Sequence, residues 1–116
     1  MWLITTIGFF SVVQKPGDSD LTVRARVRAD LEALREYMPE LTPIVHTPNG
    51  DYKYRARISH DAFGRGLARL GEKIEYDNFK SRVAATQGHR RAGIYSRVWS
   101  DLMALEGLDD GFEHSA

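Results

Sequence analysis

The chain has 116 residues, 42% of them apolar and 28% charged, a composition that supports a hydrophobic core and excludes a disordered or low-complexity chain. Sixteen Lys and Arg are matched by sixteen Asp and Glu, so a generally polybasic mode of binding is excluded and any basic site is a local asymmetry. There is no cysteine, which excludes disulfides, thiolate nucleophiles and Cys-based zinc or iron–sulfur centres.

The apolar run over residues 2–13 is shorter than the roughly 20 residues a membrane span takes, and it lacks a basic leader. It reads as part of one long central strand, residues 2–15, bent at Gly8, in a soluble cytoplasmic protein with no membrane partner. Residues 16–20 form a loop around Pro16 and Gly17. Residues 21–28 alternate, with Leu21, Val23, Ala25 and Val27 on one face and Thr22, Arg24, Arg26 and Arg28 on the other, as a half-buried strand does.

Leu31, Leu34, Tyr37 and Met38 have helical spacing, which predicts a helix over residues 30–38 that Pro39 ends. Strands over 43–47 and 52–59 flank Asn49-Gly50, the preferred pair for a tight turn with positive φ at both residues. That turn pairs Thr47 with Tyr52, His46 with Lys53, Val45 with Tyr54 and Ile44 with Arg55. Ser59 then caps a helix carrying Phe63, Leu67, Leu70 and Ile74, in which Gly64, Gly66 and Gly71 imply close packing. Asp77 caps a further segment with Phe79 and Val83 that closes at Gly88. Ile94, Val98, Leu102 and Leu105 form the apolar face of the last helix, which Gly107 stops. Tyr76, Phe79, Tyr95 and Trp99 are expected in the core.

This order predicts an α+β two-layer sandwich: a mainly antiparallel four-stranded sheet, ββαββα plus one or two extra C-terminal helices, with all helices on one side. Residues 1–107 are expected as a single domain and 108–116 as a short acidic tail. The architecture is similar in outline to ferredoxin-like domains, a likeness that carries over no functional residue.

The functional expectation rests on one sheet face. Paired residues share a face, so His46 joins Lys53, Arg55 and Arg57, while Arg24, Arg26 and Arg28 extend from a strand of the same sheet. A face of one sign in a charge-balanced chain is unfavourable as a mere solvated surface, and Arg favours bidentate phosphate or carboxylate contacts. The predicted function is a small binding module whose basic face takes nucleic acid, RNA or single strands, with Trp2 or Phe10 available for stacking.

Two alternatives use the same face. One is an interaction or inhibitor module docking on an acidic protein surface. The other is metal-independent phosphodiester cleavage with His46 as the sole candidate acid/base. The pattern leans away from an enzyme. His89, Arg90 and Arg91, at the expected start of the last helix, form a second candidate anion site. The spacing of His46, His60, His89 and His114 matches no metal motif, and no motif calls for a cofactor. Asp109, Asp110 and Glu113 of the tail are expected to fold over the basic face and compete with its ligand.

Overall fold

The first apolar run folds back on itself. Thr5 Oγ1 accepts the backbone N–H of Ile7 at 3.2 Å and of Gly8 at 3.1 Å, and donates to the Gly8 carbonyl at 2.8 Å. This side-chain-built turn makes two strands, β1 (Trp2–Thr5) and β2 (Gly8–Val13), from the segment expected as a single strand. The computed structural model describes residues 1–110. Within them follow β3 (Leu21–Ala25), α1 (Arg28–Arg35), β4 (Val45–His46), β5 (Tyr54–Ile58), α2 (His60–Glu72), α3 (Phe79–Gln87), α4 (His89–Leu102) and a 3-10 helix (Met103–Asp110). The first three residues of the expected acidic tail thus lie in the 3-10 helix, and residues 111–116, Glu113 among them, lie outside the described residues.

The class is α+β with an antiparallel sheet, as expected, but with five strands, ordered β1-β2-β3-β5-β4. The chain divides into two compact units, residues 1–75 and the residues from Tyr76 onward. In the first unit the sheet, α1 and α2 enclose the core. Phe10, Val12, Leu21, Val23, Ala25, Ala56 and Ile58 supply the sheet side, and Leu31, Leu34, Ala62 and Phe63 the helical side. Each fully buried Leu, Val or Phe contributes about 1.5–3 kcal/mol, which is why the alternation in β3 and β5 decides the inward face.

Two polar devices tie the helices to the sheet. The buried Asp30 carboxylate in the first turn of α1 accepts the Phe9 N–H at 3.1 Å, and a Cβ on Gly8 would stand 2.5 Å from Asp30 Cγ. Ser59 caps α2 as expected, its Oγ accepting the Ala62 N–H at 3.2 Å. The loop after α1 is clamped to α2 by Arg69, which donates to the Tyr37 carbonyl at 2.6 Å, and by the Arg65–Glu40 ion pair at 3.2 Å.

The second unit has a smaller buried centre. Phe79 stacks on Tyr95 with centroids 5.9 Å apart, Tyr76 lies against Phe79, and Val83 is fully buried. Asn78, rather than Asp77, caps α3 by accepting the Ser81 N–H at 2.8 Å. Gly88, at φ 94°, separates α3 from α4. Ile94, Trp99, Leu102 and Leu105 are exposed, contrary to the core expected of them, because the buried face of α4 is the one carrying Tyr95.

Of the helical glycines, Gly66 alone meets the packing expectation. A Cβ there would lie 2.2 Å from Met38 Cγ, whereas Gly64 and Gly71 face open space. Gly66→Ala should therefore destabilise by about 1–3 kcal/mol through overpacking, while Gly64→Ala should stabilise by up to about 1 kcal/mol through helix propensity. Chemical denaturation of both variants checks the opposite signs.

Glu40 is held below the usual carboxylate range by its backbone N–H and by hydrogen bonding to Arg65. A depressed folded-state pKa means stability present above the unfolded value of 4.5 and lost as pH falls through the folded one. Glu40→Gln should accordingly lower stability at pH 7, and the difference from wild type should vanish in melts taken well below pH 4.5.

Candidate functional site

The side of the sheet away from α1 and α2 carries the polar alternates of β3 and β5, with Trp2 of β1, Phe9 and Ser11 of β2 and Val45 of β4 beside them. The strand registers give one continuous cross-strand row, Trp2–Ser11–Arg24–Arg55–Val45, spanning β1, β2, β3, β5 and β4. With strands about 4.8 Å apart, Trp2 and Arg55 sit roughly 14 Å from each other on one surface. In the next row Thr22 pairs with Arg57.

Arg24 and Arg55 are direct neighbours of like charge, and their guanidinium groups take different partners. Arg24 donates to Ser11 Oγ at 2.6 Å and lies over the Tyr52 ring, 4.6 Å from its centroid. Arg26 covers the same ring at 4.6 Å and donates to the Asp51 carbonyl at 3.0 Å. Tyr52 is thus buried against two cations on the outer side, not among the inward alternates of β5. Phe9 tilts against Tyr52, and Trp2, 68% exposed, meets Phe9 edge-on at 5.6 Å. An aromatic line therefore runs from the Arg24–Arg26 pair to the exposed indole.

Arg55 and Arg57 are held more loosely. Arg55 approaches Asp51 at 3.6 Å and Thr47 Oγ1 at 3.3 Å, and Arg57 approaches Asp18 at 3.6 Å. Partly exposed pairs of this kind are worth at most about 1 kcal/mol. Both guanidinium-bearing residues border a shallow depression of 280 Å³ lined also by Lys15, Thr22, Thr42, Val45 and Ala56.

The remaining expected site residues are placed elsewhere. The turn centres on Pro48-Asn49, closed by Gly50 N–H to the Thr47 carbonyl at 3.1 Å, and Gly50 has no positive φ. The ladder pairs Val45 with Arg55 and His46 with Tyr54, one residue out of the expected register. A one-residue slip moves every side chain to the opposite face. His46 consequently leaves the basic row and stacks on Tyr54, with centroids 5.0 Å apart. Arg28 begins α1 and pairs with Glu32 at 3.1 Å, and Lys53 precedes β5 and donates to the Pro48 carbonyl at 2.9 Å. Phe10, offered for stacking, is fully buried, and its neighbour Phe9 takes the outer position.

His89, Arg90 and Arg91 do form the first turn of α4, as expected, and Arg91 donates to Tyr95 Oη at 3.3 Å. Among the described residues no group of three or more His, Asp or Glu side chains is gathered as a metal site, and no helix is long and apolar enough to cross a membrane. No family model, curated protein or solved structure matches the chain.

Residue-level reasoning missed Lys15, Thr42, Phe9 and Tyr52. Lys15 and Thr42 lie in loops beyond the strands, where alternation gives no signal, and Tyr52 lies in the bend before β5, where alternation is broken.

The two classes of arginine should separate in stability measurements. Arg24→Gln removes a charge-assisted hydrogen bond and a stacked cation and should cost about 2 kcal/mol. Arg57→Gln should stay within about 0.5 kcal/mol of wild type. Urea denaturation of the two variants checks the contrast.

Proposed function

We propose that the outer sheet face of residues 1–75 binds single-stranded nucleic acid. Lys15, Arg55 and Arg57 neutralise phosphates, and the exposed Trp2 indole, backed by Phe9, stacks on a base. The observation that supports this reading most is the cross-strand row placing Trp2 on the same face as Arg24 and Arg55. A platform for an acidic protein surface would need the cations alone. An exposed indole in line with them adds the stacking element that suits bases.

In this reading Arg24 and Arg26 shape the face by fixing Tyr52, whereas the loosely paired Arg55 and Arg57 exchange their carboxylate partners for phosphates. Phosphodiester cleavage with His46 as acid/base is not supported, because His46 lies on the side of Tyr54.

Filter binding of a single-stranded RNA oligonucleotide tests the proposal. Three neutralised phosphates give an expected affinity loss of about 20-fold between about 50 and 200 mM salt. Trp2→Ala should weaken binding about tenfold, and Arg55→Glu with Arg57→Glu should abolish it without lowering the melting temperature by more than a few degrees. Binding of polyglutamate but not RNA would assign the face to an acidic protein instead.

A further inference from the structure

The last helix carries an apolar surface that the sheet face does not use. α4 meets α3 through Tyr95, which stacks on Phe79, and a second, apolar side of α4 is uncovered among the described residues. Ile94, Val98 and Leu102 follow at four-residue steps that drift by about 40° each, so they form one stripe. The stripe continues into the 3-10 helix, where residues three apart eclipse and bring Leu105 and Leu108 into line with Leu102. Val98 is half-buried, and the other four are 41–57% exposed.

Single apolar side chains on a surface are ordinary, but a contiguous row marks an interaction site. The flank of this row is charged in a definite order. Arg97 and Asp101 each precede a stripe residue, Val98 and Leu102, and therefore lie about 100° round the helix on one flank. They stand about one turn apart, the cation first, and neither has an ion pair among the described residues. A helix of the same sequence running the other way reverses that order. With a two-fold axis at Val98, Ile94 of one copy faces Leu102 of the other. Arg97 then lies within about 3 Å, measured along the helix, of the level of the other copy's Asp101, and symmetry repeats the pair. Opposed helix dipoles favour the same direction of packing.

We propose that this stripe is a self-association surface, on which α4 and the 3-10 helix pack antiparallel against the same elements of a second copy of the chain. A partner of another sequence would have to supply an apolar row and the complementary order of charges together. A second copy supplies both. The contact is isologous and closes at two copies. One helix from each copy gives an interface at the low end of the specific range, so the dimer forms and separates with concentration. The proposal is independent of the nucleic-acid reading, because it uses no residue of the outer sheet face.

Sedimentation equilibrium of the full chain tests the pairing. Wild type should pass from monomer to dimer over about a hundredfold range of concentration, and Leu102→Glu should weaken the dimer about a hundredfold. Arg97→Glu sets acid against acid across the axis and should weaken it about tenfold, whereas adding Asp101→Arg to that change should restore it. The chain has no cysteine, so one introduced thiol reports position. With oxidised glutathione, Val98→Cys should form a covalent dimer, and Ser100→Cys, about 160° round the helix from Val98, should cross-link about tenfold more slowly or not at all. A chain that stays monomeric throughout overturns the proposal and leaves the stripe to a partner of other sequence. A dimer that ignores the Arg97→Glu change, or that cross-links as fast through Ser100→Cys as through Val98→Cys, meets through another surface and overturns it equally.

Discussion

The buried Asp30 carboxylate on the Phe9 N–H is the contact on which the geometry of the outer face depends. It joins the first turn of α1 to the start of β2, and it fits only because Gly8 has no side chain where the carboxylate stands. Removing a carboxylate from water is costly unless its oxygens are satisfied, so the position of the β2 backbone against α1 is set tightly. Once that position is fixed, alternation does the rest. Phe10 and Val12 point to the core, and Phe9 and Ser11 point away from it. The Thr5 turn then returns β1 with Trp2 opposite Ser11, on the outer face. A shift of one residue at Gly8 would bury Phe9 and expose Phe10. The aromatic line and the Arg24–Ser11 hydrogen bond would be lost together.

The second constraint is how like charges share that face. Direct Arg24–Arg55 pairing is repulsive in itself, and the face tolerates it by giving each guanidinium a different outlet. Arg24 and Arg26 both lie against one tyrosine, Tyr52, which is itself buried. Arg55 and Arg57 lean toward Asp51 and Asp18 at distances too long for good hydrogen bonds. The result is one pair of cations against a ring and one pair in long ion pairs within a few residues. A surface made only for solubility has no need of that division.

Much of this was legible in the residues, and what was not has identifiable causes. Alternation in Leu21–Ala25 and Tyr54–Ile58 specified inward and outward faces because half-buried strands leave no other arrangement. Ser59 was legible as a cap for the same kind of reason: its hydroxyl precedes a strong apolar period. The hairpin was misread because Asn49-Gly50 competes with Pro48, whose ring fixes φ for the second position of an ordinary turn. Pro48 prevails, the register moves by one residue, and His46 changes sides. The Thr5 turn has no glycine pair to announce it, since its donors are taken up by a side chain. In α4 the period of Ile94, Val98, Leu102 and Leu105 gives an apolar stripe but does not say what covers it, and the buried contact goes through Tyr95.

Charge balance finally limits what such a face can do. With sixteen positive and sixteen negative side chains the molecule has no net monopole to draw an anion from afar. At physiological salt the field of any local cluster decays over about 8 Å, so the face acts on what already touches it. In the proposed reading, discrimination falls to short-range features: the indole of Trp2 and the guanidinium groups of Arg55 and Arg57. A polybasic protein gains affinity for every polyanion alike. A neutral one with a small concentrated site gains it only for a ligand that places charge and a flat apolar surface at matching points.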